Sequence, residues 1–193
     1  MPVIRAFIAI DLSPEILKRL DNVNAELQKR LSGVPVRWVP VKNIHLTLKF
    51  LGDVSVANLD MLMEMLRTCA AQHHPFEISV GDLGAFPSAR RPRVVWVGVT
   101  APPDLAALHA SIDTETARLG YAREDRPFSP HLTLGRVARN ANFRDSQAIS
   151  EVLYAYKVGF LGATRVESVV LYRSDLNPGG AVYTQLYAVD LSK

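Results

Sequence analysis

The chain has 193 residues, 48% of them hydrophobic and 21% charged, which excludes a disordered polymer and implies a sizeable core, since a chain this long buries roughly 70% of its unfolded surface. Its 22 Lys and Arg against 19 Asp and Glu give a formal charge of +3, a mild basic bias that permits an anionic partner without demanding one. Cys69 is the only cysteine, which excludes an intrachain disulfide and a cysteine-based metal site and fits a reducing cytoplasm. The apolar run near the start is bracketed by Arg5 and Asp11, too short for a signal or a membrane span. One domain over residues 1–193, built of two lobes, is the expectation.

Taken in order, the alternation over Val3 to Ile10 predicts a strand. Ser13, Pro14 and Glu15 supply an N-cap, a first-position proline and a first-turn acid. Leu17, Leu20, Leu27 and Leu31 give that helix an apolar stripe, and Gly33 ends it. Val36 to Val39 reads as a short strand, and Pro40 to Asn43 as a turn into a strand from Ile44 to Leu51 that Gly52 and Asp53 terminate. A second helix is expected from about Ser55 to Ala71, with Leu59, Leu62, Met63 and Leu66 inward. Phe76 to Val80 is read as a strand, GDLGAFPSARRPR as a turn-rich stretch, and Val94 to Val99 as a strong strand. A helix over about Asp104 to Leu119 is closed by Gly120, and a polar loop from Tyr121 to Pro130 leads into a strand from His131 to Val137. A fourth helix is expected over about Asp145 to Tyr154, then strands near Thr164 to Tyr172 and Val182 to Leu191, with the final turn at Asn177, Pro178, Gly179 and Gly180. The order implies an α+β fold with a loose duplication of two halves.

Within that order one tetrapeptide occurs twice: His45, Leu46, Thr47 and Leu48 return as His131, Leu132, Thr133 and Leu134. Alternation along a strand places each histidine beside its threonine on one face and the leucines on the other. If the halves pack symmetrically, two imidazoles with ordinary pKa values near 6.5 face each other across a cleft, one able to act as base and its partner as acid. In-line displacement at phosphorus needs that pair, and the threonine hydroxyls can hydrogen-bond the non-bridging oxygens. Arg136 falls on the opposite face of an ideal strand and joins them only if Gly135 permits a bulge. No metal or other cofactor is required. A single HxT strand is most often a satisfied strand histidine; repetition in matching strands is what favours a functional pair. His73 and His74, adjacent at a helix end, cannot converge on one metal, and His109 stands alone in a helix; all three are read as structural or solvated.

The two HLTL motifs resemble the signature of the 2H phosphoesterases. The resemblance extends along nearly the whole chain to the LigT-like branch, the bacterial and archaeal RNA 2',3'-cyclic phosphodiesterases first described as 2'-5' RNA ligases. It is carried by RAFIAIDL, RWVP followed by NIHLTLKFLGDV, FP then PRVVWVGV, FSPHLTLGRV, and LYRSDL with GGAVYTQL. It implies two pseudo-symmetric lobes, each an antiparallel sheet with outer helices, around a central cleft that carries both motifs. It also implies hydrolysis of RNA 2',3'-cyclic phosphate ends to 2'-phosphomonoesters, with reversible 2'-5' ligation as a further capacity. By the same resemblance His45 is the proton donor, His131 the acceptor, and Thr47, Thr133 and Arg136 are phosphate-binding positions. The expected partner is RNA with a 2',3'-cyclic phosphate end, tRNA fragments among the candidates, met by a monomeric chain without membrane, metal or cofactor. Two other readings stay open: a cyclic phosphodiesterase acting on small nucleotides or ADP-ribose cyclic phosphate, and a non-catalytic RNA- or nucleotide-binding module.

Further candidates surround the pair. Arg90, Arg91 and Arg93 in one loop and Arg123 and Arg126 in another can guide an RNA backbone or be solvated surface. Phe50, which follows Lys49, is placed by period-two counting on the His45 face, where it either stacks on a base or forms the rim of the core.

Overall fold

The computed structural model describes residues 2–178 and 180–192. Its elements are β1 (Val3–Ile10), α1 (Pro14–Arg30), β2 (Val36–Trp38), β3 (Leu46–Ser55), α2 (Leu59–Ala70), β4 (Phe76–Ser88), β5 (Arg91–Thr100), α3 (Pro103–Arg118), β6 (His131–Val137), α4 (Phe143–Ala155), β7 (Phe160–Val166), β8 (Ser168–Asn177) and β9 (Gly180–Asp190). They form two antiparallel sheets with strand orders β3-β1-β8-β9 and β2-β6-β5-β4-β7. α2 and α3 pack on the first sheet, α1 and α4 on the second. This is the expected α+β arrangement of two lobes with outer helices. No helix of the described residues is long and apolar enough to cross a membrane.

The lobes are not the two halves of the sequence. The first half supplies β3 and α2 to the first lobe but sends α1, β4 and β5 to the second, and the second half exchanges α3, β8 and β9 in return. The interlacing leaves one connected core in which Ile8 and Leu46 of the first sheet join Val97 and Leu132 of the second.

Several boundaries differ from the sequence reading, each for a physical reason. The α1 stripe is Ile16, Leu20, Val23 and Leu27, with Leu17 only half-buried, and in α2 Met65 and Cys69 are buried where Leu59 and Met63 are partly exposed. β3 is not stopped by Gly52 and Asp53: Gly52 takes φ 69 and the strand runs on to Ser55. GDLGAFPSARRPR is not a string of turns, because β4 and β5 make one long hairpin through it, the register slipping between Gly81 and Leu83. The expected strand near Thr164 to Tyr172 is two strands, broken at Glu167, where the chain leaves one sheet for the other. The expected final turn includes Gly179, which lies outside the described residues.

Two β-bulges set the functional face. In β3 Ala9 pairs with Thr47 and Ile8 with Lys49, so Leu48 is the unpaired residue. In β6 Trp96 pairs with Thr133 and Val95 with Gly135, so Leu134 is unpaired. An extra residue reverses the face of everything after it. Strict alternation from His45 would put Lys49 beside Thr47 and Phe50 opposite, so the period-two count does not place Phe50. The bulge does: Lys49 turns inward to 1% exposure while Phe50 turns outward to 61%. The same step in β6 brings Arg136 round to the side of His131 and Thr133, through the bulge on which that placement depended.

Candidate active site

Between the lobes lies a cleft of about 390 Å³. The first lobe presents His45, Thr47 and Phe50 to it, and the second presents His131, Thr133 and Arg136. Residues far apart in sequence and expected to converge are therefore brought to one concavity.

His45 sits at the entry to β3 inside an aromatic box. Its ring stacks on Phe7 at 4.7 Å between centroids, Tyr172 stacks on Phe7 at 5.3 Å and on the imidazole itself at 6.0 Å, and Tyr183 meets the imidazole edge-on at 5.2 Å. The Tyr172 hydroxyl donates to Asp11 Oδ1 at 2.8 Å, which fixes that wall; burial first, and then the Asp11 hydrogen bond and charge, push the phenol pKa up. Among the described residues no group hydrogen-bonds the His45 ring, and burial pulls its pKa down to about 4.

His131 is held differently. Its Nδ1 lies 2.7 Å from the Ser129 carbonyl, and a carbonyl only accepts, so Nδ1 carries the proton and Nε2 keeps its lone pair. Phe86 meets the ring edge-on at 4.8 Å, and Trp96 flanks it at 6.5 Å. That indole lies across Gly84, where a Cβ would come within 2.2 Å of the ring, so the flat support under His131 requires glycine there. Burial lowers the His131 pKa first and the Arg136 cation pushes the same way, while the Ser129 carbonyl opposes both.

The segment 121–130 forms a wall of the cleft. Phe128 stacks on His109 of α3 at 3.9 Å and 12°, and both rings line the cleft. His109 is therefore packed rather than solvated, and burial lowers its pKa against the opposing charges of Asp113 and Glu124. Beneath this wall the Lys49 ammonium donates to Asp113 Oδ1 at 2.5 Å and to the Ala122 carbonyl at 2.6 Å, while Asp113 also accepts the Glu124 amide at 3.2 Å. The lysine next to the first motif thus ties down the segment that delivers the second. Arg126 lines the cleft; Arg90, Arg91, Arg93 and Arg123 do not. His73 pairs with Ser111 at 3.0 Å, and His74 with the Ser192 carbonyl at 3.2 Å, both away from the cleft. Among the described residues no group of three or more His, Cys, Asp or Glu is placed to hold a metal ion.

Sequence reasoning missed the box around His45. Phe7, Tyr172 and Tyr183 lie on β1, β8 and β9, and only strand pairing over long sequence separations brings them together. The available signals were Phe7 in the RAFIAI alternation, which reads equally well as core, and Tyr172 and Tyr183 within the LYRSDL and GGAVYTQL segments, to which the sequence reading gives no site role.

The family profile described as LigT like Phosphoesterase matches the chain twice, over residues 10–96 and 97–183. The RNA 2',3'-cyclic phosphodiesterase of Methanothermobacter thermautotrophicus is 36% identical over 183 residues, covering 95% of this chain and 96% of that one. The enzyme of the same name from Escherichia coli K12 is 34% identical, with 94% and 93% covered. The crystal structure of E. coli LigT complexed with 3'-AMP superposes with a TM-score of 0.78 at 30% identity over 100% of both chains, and that of Thermus thermophilus TT0787 with 0.80 at 26% over 97% of both. The doubled motif, the doubled bulge and the full-length likeness place this chain in the LigT-like phosphoesterase family of the 2H phosphoesterases.

Proposed function

We propose that the chain opens 2',3'-cyclic phosphates at RNA ends, leaving a 2'-phosphate, by acid and base catalysis from its two motif histidines without a metal. Full-length relatives named for that activity support the substrate class. The observation that carries the mechanism is the unequal holding of two equivalent imidazoles in one cleft. His131, with Nδ1 committed to Ser129, offers Nε2 to take a proton from water as its oxygen attacks phosphorus. His45 gives its proton to O3' as the P–O3' bond breaks. In the free protein burial keeps His45 neutral at pH 7, its pKa lying at about 4; the phosphodiester anion favours the imidazolium, so the acid is charged by its own substrate. Thr47, Thr133 and Arg136 hold the non-bridging oxygens, whose charge grows in the transition state. Phe50 stacks on the base. The roles exchange in reverse, so attack by a 5'-hydroxyl on the cyclic phosphate gives a 2'-5' linkage, with His131 deprotonating the attacker. The continuous core supports treating the chain as one bilobal domain.

The test is turnover by purified protein in excess EDTA on a panel of nucleoside 2',3'-cyclic phosphates, ADP-ribose cyclic phosphate and oligonucleotides with a cyclic end. Opening of the RNA-type substrates to 2'-phosphates is expected. Preference for ADP-ribose cyclic phosphate moves the reading to small nucleotides, binding without turnover makes the chain a binding module, and loss of activity in EDTA that divalent metal restores overturns metal independence.

A further inference from the structure

The edge strand β2 carries a cation that the mechanism above does not use. β2 pairs antiparallel with β6 in the register Val36 to Val137, Arg37 to Arg136 and Trp38 to Gly135. Residues directly opposite in such a pair share a face and lie about 4.5–5.5 Å apart at Cβ. A Cβ on Gly135 would meet Val36 Cγ1 at 2.7 Å and Trp38 Cε3 at 2.9 Å, so that row is turned inward. Arg37 and Arg136 are consequently the outward row, and both are exposed.

Like charges directly opposite on a sheet are destabilising, and the one carboxylate that lines the same cleft as Arg136, Glu124, forms no ion pair with it among the described residues. Among the described residues neither guanidinium has a carboxylate within ion-pairing reach, whereas Arg19, Arg30, Arg67 and Arg118 are each paired to a glutamate on their own helix. β2, β6 and β5 hold no Asp or Glu at all, and the neighbour of Arg136 on its other side is Val94. Arg136 lines the cleft, while Arg37, one strand further out, does not. A row of two unneutralised guanidiniums running outward from a phosphate site meets a polyanion whose charges repeat along its length.

We propose that Arg37 binds a second phosphate, the one attached to the 5' oxygen of the nucleotide that bears the cyclic phosphate. This rests on the reading under Proposed function and deepens it: the cleft processes the terminal ring, and the β2 edge distinguishes a polynucleotide end from a lone nucleotide. The same anion can come from a 5'-phosphate monoester on a single nucleotide, so that source is a separate arm of the test.

The experiment compares wild type, Arg37→Gln and Arg37→Lys on a nucleoside 2',3'-cyclic phosphate, its 5'-phosphorylated form and a dinucleotide with a cyclic end. On the dinucleotide, Arg37→Gln should raise KM about tenfold with kcat little changed, and should flatten the slope of log(kcat/KM) against log salt by roughly 0.7, the loss of one single-strand phosphate contact. Arg37→Lys should fall between. On the unphosphorylated mononucleotide all three proteins should agree within about twofold, which also reports that the variants are folded. A 5'-phosphorylated mononucleotide affected as strongly as the dinucleotide supports the assignment of Arg37 to the 5' phosphate and overturns only its restriction to a polynucleotide source. Equal losses on every substrate put Arg37 at the reacting phosphate, and no loss on any removes it from binding; either result overturns the inference. If wild type opens none of the substrates, the parent reading falls and this one with it.

Discussion

The same four letters run into β3 and open β6, and both strands carry the same bulge, yet they hand the cleft two different histidines, His45 just before its strand and His131 within its own. In β3 the ring is boxed by Phe7 and Tyr183 with no hydrogen bond among the described residues; in β6 it is steered by the Ser129 carbonyl and stands near the Arg136 cation. The residues after the bulges diverge as well. Lys49 and Gly135 occupy equivalent inward places, one filled by a buried ammonium and the other by the Val36 and Trp38 side chains that would collide with any Cβ. Phe50 and Arg136 occupy equivalent outward places, one apolar and one cationic. A repeated motif therefore fixes where two side chains go; the neighbours brought by the rest of the fold decide what each can do.

The largest expected effect comes from removing either ring. His45→Ala and His131→Ala should each lower kcat by about two to four orders of magnitude, the usual contribution of a positioned acid or base, and the double variant should be little worse than the poorer single one. An analogue whose O3' departs without needing a proton separates the two roles. It should rescue His45→Ala far more than His131→Ala, whose missing task in the proposed mechanism is to activate water. Equal rescue would mean that the difference between the two environments has no chemical consequence.

The inward pair sharpens the comparison through stability. Lys49→Met leaves Asp113 without its cation, and breaking a buried pair costs about 3–5 kcal/mol. The 14% exposure of Asp113 places the expected loss at the lower end. Urea denaturation should show it, with Lys49→Met/Asp113→Asn recovering part. Gly135→Ala, its counterpart, should cost about 1–3 kcal/mol through overpacking against Val36 and Trp38. If Lys49→Met proves neutral, the tie between the first motif and the segment 121–130 is not a stabilising one.

How much of this was legible in sequence follows from what alternation encodes. The duplicated tetrapeptide, the α1 cap at Ser13 and the start of β6 at His131 are local patterns, and they are present as read. The bulges are not local patterns: Leu48 and Leu134 look like ordinary core leucines, and only the pairing partners Ile8, Ala9, Val95 and Trp96 show that each is the extra residue. That is why a period-two count misassigns Lys49. Glycines misled in the β4–β5 hairpin, where Gly84 makes room for Trp96 instead of turning the chain. The aromatic box and the exchange of helices between lobes depend on tertiary pairing and left no periodicity to find.

The third expected effect is in pH. His45 has a folded pKa of about 4 against an unfolded value near 6.5. Between those values the unfolded chain takes up a proton that the folded ring refuses, so stability falls as pH drops through that window. The penalty is absent above about 6.5, fully present below about 4, and on the order of 3 kcal/mol for this group. The stability of His45→Gln should therefore gain on wild type as pH falls. His131→Gln should gain less, because the Ser129 carbonyl offsets part of the lowering. In kinetics, kcat/KM reports the free enzyme and kcat the complex. Both should be bell-shaped, and the limb belonging to His45 should lie near 4 in kcat/KM and higher in kcat, once the phosphate anion is bound. Coincident limbs would mean that substrate does not help to charge the acid.

The smallest effect separates Phe50 from Arg136, which stand at equivalent positions. Phe50 is 61% exposed at the cleft, too open to be core, and its ring lies 6.1 Å from Phe7, so it continues the aromatic wall outward from His45. A stacking surface binds ground state and transition state alike, and such binding appears in KM rather than kcat. Phe50→Ala should raise KM about tenfold, within the roughly 1–3 kcal/mol that a stacked base contributes. Arg136→Ala should instead act mainly on kcat, because in the proposed mechanism its cation meets charge that grows during the reaction. An abasic ribose 2',3'-cyclic phosphate makes the distinction independent of folding. Without a base to stack, wild type and Phe50→Ala should converge to the same kcat/KM, while Arg136→Ala should remain as impaired as before. A Phe50 variant that stays tenfold weaker on the abasic substrate would place the ring against the ribose or the phosphate and dissolve the contrast between the two positions.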